Sequence, residues 1–432
     1  MSIGLQIPGQ LKSQTTTAKR RSVADVLASM GDWFEEAYEP GLILPPALNE
    51  QDGQASLVIQ LMPGSEPVFF TQAGADIVTV SANTGWGGPG YHKHLCDVLR
   101  TLSSEFKVDW VESEEENDET GYWSTQDWEE LNAQVQDWIQ QVCRVVVENS
   151  GELGSEETMK IGMSTDMHFN TPGGVQTPLG LHKKEWFVHA AENAEAAMSL
   201  LAWTHPDHAA EALRGQVLAA MWQDVGWHPP RTEGEARVHA YVLRALDRAR
   251  QMDGRIPLPQ AEWDELKSYA EEEEGEASTL SSRDRASDGM IGYRRWPVTV
   301  HPFAGWNLTL PGGMSEGEEE EGTAFWFEED RSVHFSTFSV SGPGGSTTAR
   351  GVLNNAPPAE GEVVDSWERD DGVGTLSVAD AVSDEGEPYV LFTGLVASRS
   401  ELGVCTITAS DREQIDFAKQ VCRSITVQDR DD

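Results

Sequence analysis

Two pairs of closely spaced histidines are the residues of this 432-residue chain whose type and spacing suit metal chemistry. His92 and His94 are two positions apart, and His205 and His208 are three positions apart. Two imidazoles presented from one face can bind zinc or another transition metal. His92 and His94 stand at a predicted helix start, where a separation of two residues turns side chains about 200° apart. We therefore expect surface or capping histidines and no cofactor, with metal binding as the alternative.

The other motifs of enzyme chemistry are incomplete. Residues 83–90 (NTGWGGPG) connect a predicted strand to a predicted helix, a place where free backbone N–H groups can hold an anion. The segment lacks the glycine spacing of phosphate-binding loops, so a tight strand-to-helix connection explains it better. There is no GxSxG motif, and none of the four cysteines forms a CxxC pair. We assign no catalytic residue.

The balance of charge limits the partners of the protein. The chain carries 72 acidic and 31 basic side chains, for a formal net charge of −41. Nucleic acid and anionic membrane surfaces are excluded because both repel a strongly negative body. The acidic residues are dispersed and arginine outnumbers lysine, as is typical of a protein adapted to high salt, where screening reduces self-repulsion. Since no apolar stretch approaches about 18 residues, we expect no membrane insertion and a cytoplasmic protein.

Composition and periodicity predict a multidomain α+β protein. With 39% hydrophobic residues and 15 tryptophans, the chain has enough apolar side chains to fold. We expect an N-terminal antiparallel sheet with covering helices, a central helical bundle, and a C-terminal α+β domain on a second antiparallel sheet. The predicted segments are a disordered basic tail over 1–22, an α+β domain over 23–159, a helical region over 160–272, an acidic linker over 273–289 and the C-terminal domain over 290–428.

Two patterns support the N-terminal part of this prediction. Short β-branched and aromatic runs at 56–62, 68–71 and 77–81 alternate with turn residues and predict an antiparallel meander. Between 128 and 146, apolar residues recur at spacings of three and four, which predicts a long amphipathic helix. We expect this helix to cover one face of the sheet.

Two segments are candidate binding sites. Residues 1–22 hold four basic side chains and no acidic one, which predicts an unstructured tail whose apolar tip docks on a partner as an extended peptide. Trp227 and His228 lie in a break between two predicted helices and could form a partly exposed recognition patch. The alternative for residues 1–22 is an inert chain end, and the alternative for Trp227 is a place in the core. The candidate binding residues are Ile3, Leu5, Ile7, Lys19, Arg20, Arg21, Trp227 and His228.

The C-terminal third of the chain resembles the PsbP-like and DcrB-like small α+β domains. The likeness lies in 302–311 (PFAGWNLTLP), which opens the predicted sheet, in a predicted strand over 333–340, and in the terminal run 416–425 (DFAKQVCRSI). Members of that group are mostly noncatalytic accessory or assembly factors. The resemblance therefore implies binding rather than chemistry.

Residues 23–270 also look like an uncharacterised bacterial family. The segments that carry this likeness are 88–92 (GPGYH), 118–122 (DETGY) and 221–230 (MWQDVGWHPP). It implies no activity.

These observations predict a non-enzymatic protein-binding accessory or structural component of a larger assembly, adapted to high salt, with the N-terminal tail as its docking segment. One alternative is an acidic immunity or inhibitor protein that neutralises a basic partner. Another is a metal-dependent enzyme at one of the histidine pairs. We expect protein partners, and the sequence leaves the oligomeric state open.

Overall fold

The computed structural model describes residues 3–12, 21–38, 41–51, 53–113, 116–150, 159–163, 167–169, 174–271, 291–317, 322–339, 348–383 and 386–427. The chain divides into two compact units. Unit 1 comprises Met1–Ser164 and Thr171–Gly292, and unit 2 comprises Thr165–Asn170 and Tyr293–Asp432. The predicted linker over 273–289 lies outside the described residues.

Unit 1 combines short strands with amphipathic helices. Its first half contains β1 (Gly4–Leu11), α1 (Val23–Ala37), β2 (Ala47–Gln51), β3 (Gln54–Ile59), β4 (Val68–Gln72), β5 (Ile77–Asn83), α2 (Pro89–Phe106), β6 (Val108–Trp110), α3 (Tyr122–Thr125) and α4 (Trp128–Ser150). The chain continues through β7 (Met159–Lys160), β8 (Met167–Phe169, part of unit 2), β9 (Val175–Thr177), β10 (Gly180–His182), α5 (Lys184–Glu192), α6 (Ala194–Met198), α7 (Ala209–Gln223), α8 (Glu233–Met252) and α9 (Gln260–Glu271).

The sheet of unit 1 is antiparallel, with six strands in the order β2-β3-β4-β5-β1-β6. Side chains alternate along each strand, so Leu57, Phe70, Val80 and Ile7 share one buried face. Helices α1, α2 and α4 contribute to the same hydrophobic core. The meander predicted over 56–81 and the long helix predicted over 128–146 are both confirmed.

The prediction of a disordered tail over residues 1–22 is wrong for residues 4–11. These residues form the interior strand β1, which pairs with β5 on one side and β6 on the other. Ile3, Leu5 and Ile7 are 6%, 2% and 0% exposed, so they are core residues and cannot act as a docking peptide. Their period-two spacing is what a strand with one buried face requires.

The rest of the predicted tail leads into α1. Lys19 and Arg20 lie outside the described residues. Arg21 is exposed, and its guanidinium donates to the Ser29 hydroxyl. Ser22 caps α1: its hydroxyl accepts from the Asp25 amide, and the Asp25 carboxylate accepts from the Ser22 amide. This capping box starts the helix immediately after the basic cluster.

Unit 2 is built on a seven-stranded antiparallel sheet, whose strands lie in the order Ser315–Glu316, Thr323–Phe327, Arg331–Ser339, Glu401–Ala409, Pro388–Ala397, Gly372–Val382 and Glu362–Arg369. Its further elements are β11 (Pro297–Phe303), β12 (Trp306–Pro311), β13 (Ser315–Glu316), β14 (Thr323–Phe327), β15 (Arg331–Ser339), α10 (Ala349–Asn355), β16 (Glu362–Arg369), β17 (Gly372–Val382), β18 (Pro388–Ala397), β19 (Glu401–Ala409), α11 (Ile415–Ser424) and β20 (Thr426–Val427). A smaller sheet has the order β20-β12-β11-β8.

The two helices of unit 2 lie on opposite faces of the large sheet. Helix α11 packs on the main core, and a Cβ at Gly394 of β18 would lie 2.4 Å from the Cys422 sulfur. Val352 and Leu353 of α10 cover Leu395 and Leu402 on the other face. The chain is therefore a multidomain α+β protein with several antiparallel sheets, as its fold-class prediction states. Among the helices that the structure describes, none has both the length and the apolar character needed to cross a membrane.

Replacing a buried side chain of β1 tests its place in the core. Ile7→Ala should lower the free energy of unfolding by about 2–5 kcal/mol, because it removes a fully buried side chain from an interior strand. Gln10→Ala, on the exposed side of the same strand, should change it by less than about 0.5 kcal/mol. Urea titrations followed by tryptophan fluorescence measure both. Equal midpoints for the two variants would contradict the assignment of β1 to the core.

Candidate binding face

The two histidines of the first pair, His92 and His94, interact with different partners. His92 is fully buried in the first turns of α2, and its Nδ1 lies 2.7 Å from the Thr84 hydroxyl. The Nε2 of His94 lies 2.9 Å from the Tyr38 hydroxyl, and its ring packs on Trp203. The expectation of a surface or capping histidine is therefore wrong for His92. It is part of an internal hydrogen-bond network.

Asp118 is the centre of that network. Its Oδ1 accepts from the Thr120 amide at 2.9 Å and the Thr120 hydroxyl at 2.8 Å. Its Oδ2 accepts from the Trp123 amide at 2.7 Å and lies 3.2 Å from His92 Nε2. Burial alone would raise the pKa of Asp118, but the hydrogen bonds from His92, Trp123 and Thr120 outweigh it and lower the pKa below its usual value. The buried carboxylate therefore stays ionised at neutral pH.

The network fixes the direction of the hydrogen bonds at the Asp118 carboxylate. The Thr120 hydroxyl donates to Asp118, so His92 Nε2 must carry the proton that faces the carboxylate. His92 Nδ1 lies 2.7 Å from the Thr84 hydroxyl, which also donates to the Ile3 carbonyl at 3.3 Å. Hydroxyl, imidazole and carboxylate stand in the order of a hydrolase triad. Thr84 is 1% exposed, His92 0% and Asp118 4%, so this arrangement does not face solvent and supports the fold.

A metal ion fits this cluster poorly. Ligand atoms of His92, Cys96 and Asp118 lie within 4.8 Å of one another. However, each Asp118 oxygen already interacts with two donors, which uses the four lone-pair sites of a carboxylate. Burial raises the pKa of the Cys96 thiol, which opposes the thiolate that a metal needs. The residues present fit a closed hydrogen-bond network better than a metal centre.

The second histidine pair lies at the surface. The rings of His205 and His208 are 4.7 Å apart. His205 Nδ1 accepts from the Asp207 amide, and His208 Nδ1 lies 2.9 Å from a Glu211 carboxylate oxygen. Both side chains thus have local partners at the start of α7.

The glycine-rich segment after β5 is a tight connection. The Gly88 amide donates to the Gly85 carbonyl, and the Gly90 amide donates to the Trp203 carbonyl. A Cβ at Gly90 would lie 2.2 Å from the Trp203 ring, so glycine is required for this close approach. These amides are used within the fold and do not form an anion site.

The predicted recognition patch at Trp227 and His228 is wrong. Trp227 is 3% exposed and belongs to a core shared with α7, α8 and α9. Its backbone, in the turn that follows α7, has φ +59°, and its side chain packs in that core. His228 is largely buried, with Nε2 3.7 Å from a Glu235 carboxylate oxygen.

The exposed face of the six-stranded sheet has an unusual composition. Two rows of side chains cross five strands opposite the core; one is Gln6, Ser81, Phe69, Val58 and Ala47, and the other is Pro8, Thr79, Thr71, Ser56 and Asn49. We call these ten residues the N-terminal neutral face. They include no charged side chain, although 24% of the chain is charged. The face is solvent-facing, since Phe69 is 40% exposed.

A depression of about 400 Å³ lies at one end of this face. Gln6, Phe69, Ser81 and Asn83 line it together with Asn117 and Glu119, the two neighbours of Asp118. Glu119 accepts from the Gly4 amide at 2.6 Å, and Leu5 forms a backbone bridge with Asp118. The buried carboxylate thus holds the loop that forms one wall of the depression.

The rim of the depression is acidic. The side-chain amide of Gln6 donates to the Glu116 carboxylate at 2.9 Å, and the side-chain amide of Asn83 donates to the Glu66 carboxylate at 3.1 Å. The face therefore offers a ligand an uncharged floor with negatively charged side chains along one edge. Sequence reasoning missed it, although the pattern of Gln, Ser and Thr between apolar residues in β1, β4 and β5 is its signal.

Comparison with known proteins gives little further information. No family model matches the chain, and no curated protein matches it. Among solved structures, a Bacteroides thetaiotaomicron protein matches at 14% identity and a TM-score of 0.24, over 30% of this chain and 47% of its own. The cyanobacterial PsbP (CyanoP) of Synechocystis matches at 15% identity and a TM-score of 0.22, over 29% of this chain and 87% of its own.

The chain thus spans about half the length of the first of these structures. At these TM-scores neither similarity supports a conclusion about function.

Removing the charge of Asp118 tests the network. Asp118→Asn should lower the free energy of unfolding by about 3 kcal/mol, because the amide places a donor against groups that are themselves donors. Asp97→Asn is the matched control, since Asp97 pairs with Lys93 and Arg100 on a half-exposed helix surface and should cost about 1 kcal/mol or less. Urea denaturation at pH 7 measures both. The same loss in both variants would contradict the role of Asp118.

The stability of the protein should also depend on His94. Burial lowers the pKa of His94 from 6.5 to about 4, so the unfolded chain binds more protons between these values. Stability is therefore complete above pH 6.5 and falls as the pH drops to 4, by about 2–3 kcal/mol for this residue. Urea denaturation between pH 4 and 6.5 in 2 M NaCl measures how the free energy of unfolding depends on pH. His94→Gln should reduce this dependence, whereas His208→Gln at the surface should leave it unchanged. An unchanged slope in His94→Gln would exclude this cause.

Proposed function

We propose that the protein is a non-enzymatic, salt-adapted cytoplasmic component of a larger protein assembly, and that it binds a partner through the N-terminal neutral face. The observation that supports this is the uncharged, solvent-facing surface with its depression, in a chain of net charge −41. The centres of protein interfaces are depleted of charge, because burying an unpaired charge is costly. This face meets that requirement without rearrangement.

The acidic rim defines the partner further. Glu66, Glu116 and Glu119 surround one end of the uncharged centre. A partner with an uncharged or apolar projection ringed by lysine or arginine would match both parts. In low salt the rim would steer the encounter, whereas in high salt, where charges are screened, the centre with Phe69 as its largest exposed group would supply most of the affinity.

We propose that the protein is not an enzyme because its strongest catalytic candidates are buried. Thr84, His92 and Asp118 are sealed from solvent and hydrogen-bonded to one another. The proposal differs from the expectation based on the tail in one respect. Strand β1 buries Ile3, Leu5 and Ile7, while Gln6 and Pro8 face the partner.

An inhibitor of a basic partner is the second candidate, and the acidic rim favours it. The two candidates differ in their response to salt. Binding through an uncharged centre should persist in molar salt, whereas neutralisation of a basic protein by acidic side chains should weaken steeply as the charges are screened.

A matched pair of substitutions tests the proposal. Phe69→Glu places a charge in the centre of the neutral face, and Val145→Glu makes the same change on α4 at almost equal exposure, 40% against 41%. The full chain is used as bait in native cell extract at 2 M salt, the retained proteins are identified, and the partner is purified so that its Kd can be measured. We expect its Kd to rise at least tenfold for Phe69→Glu, as one misplaced buried charge implies, and less than twofold for Val145→Glu.

Equal Kd values for the two variants would reject the face as the binding site. A complex that forms in low salt and is lost in 2 M salt would support the inhibitor instead. Thermal melts of both variants establish that each remains folded.

A further inference from the structure

Unit 2 has a second uncharged surface that the proposed function does not use. It lies on the face of the seven-stranded sheet opposite α11. One row across six strands consists of Phe325, His334, Thr406, Thr393, Ser377 and Val363. None of these side chains carries a carboxylate, an ammonium or a guanidinium group. Helix α10 covers the neighbouring positions Leu395 and Leu402 on the same side of the sheet.

A second row strengthens the pattern. Phe327, Ser332, Thr408, Leu391 and Ala379 lie in register across five strands and are also uncharged. We call the two rows the C-terminal neutral face. Apart from buried Ser377, its residues are half-buried or exposed in the isolated chain, and Val363 is 62% exposed.

Three polar groups of this face, those of Ser332, Thr408 and His334, interact with one another. The hydroxyls of Ser332 and Thr408 are 2.6 Å apart, and the Ser332 hydroxyl is 3.2 Å from His334 Nε2. Phe325 stacks on Phe327 with centroids 5.5 Å apart and on His334 at 4.4 Å. Since the Ser332 and Thr408 hydroxyls have lateral partners, burying this part of the face against an apolar surface would leave them with a hydrogen bond.

Charge selects the occupant of such a face. Two copies that met through the charged surface of a chain of net charge −41, or at the acidic rim of the N-terminal neutral face, would bring like charges together and repel. An uncharged face is complementary to itself, as an isologous two-fold interface requires. A basic partner would find no carboxylate in either row.

The size of the face sets the expected strength. Six strands at about 4.8 Å spacing, and two rows about 6.8 Å apart, give roughly 500 Å² per copy once the margins are included. Two copies would bury about 1,000 Å² in total, close to the lower limit of specific interfaces. The association should therefore be weak, with a Kd in the micromolar range or above.

We propose that the protein forms a two-fold symmetric dimer by stacking the C-terminal neutral faces of two copies, and that salt strengthens this dimer. Screening lowers the repulsion between the acidic bodies, while the uncharged contact loses nothing. A dimer held by ion pairs would respond in the opposite direction.

Sedimentation velocity of the full chain from 1 to about 200 µM, in 0.2 M and 2 M NaCl, tests the proposal. The wild type should dimerise, at least tenfold more tightly in the higher salt. Val363→Glu should raise the dimer Kd at least tenfold in 2 M NaCl. Val382→Glu is the matched control, because Val382 is 66% exposed on the same sheet but lies outside both rows, and it should change the Kd less than twofold.

Thr406→Glu, at the centre of the first row, should abolish the dimer if the variant folds, and Val363→Glu at the edge strand provides the test if it does not. A wild type that stays monomeric at 200 µM in 2 M NaCl would overturn the proposal. So would a dimer that weakens with salt, or equal Kd values for Val363→Glu and Val382→Glu.

Discussion

The structure of unit 1 depends on one constraint, the need of a buried carboxylate for a full set of hydrogen-bond donors. Asp118 meets it with donors from its own loop, from the start of α3 and from His92 on α2. The same loop pairs with β1 at Leu5, and the Thr84 amide donates to the Ile3 carbonyl. The strand, the loop and the helix must therefore all be in place at once. Losing any one of these donors would leave a buried charge without its full set of hydrogen bonds.

This placement links the interior of the sheet to its exposed face. Strand β1 sends Leu5 and Ile7 into the core and presents Gln6 and Pro8 outward. The loop held by Asp118 adds Asn117 and Glu119 to the wall of the depression. A residue with no solvent contact thus shapes the surface that we propose for binding. The two rows of that surface contain no acidic side chain, and Glu66, Glu116 and Glu119 lie at its edge.

Sequence reasoning succeeded where one local pattern determines the structure. The periodicity between 128 and 146 fixed α4, and the alternating runs of β3 to β5 fixed the meander. It failed where composition competed with pattern. The basic, acid-free stretch around β1 suggested disorder, while the spacing of Ile3, Leu5 and Ile7 already had the period of a strand. Trp227 was misplaced because a breaker was equated with exposure.

The site could not be predicted because its residues are distant in sequence. Gln6, Phe69, Ser81 and Asn117 meet only through strand order, which non-local pairing decides. For the same reason His92 gave no sign of its partner Asp118, 26 positions away. Any one of these side chains is ordinary, and the absence of charge is visible only after the register is known.

The most direct test of this account is native-state hydrogen exchange of residues 4–11 and 116–123, followed by mass spectrometry. If the Asp118 network holds β1 in the interior of the sheet, both segments should exchange slowly, together, and with the free energy of unfolding of unit 1. Exchange of residues 4–11 within seconds, as in a free chain end, would contradict the account.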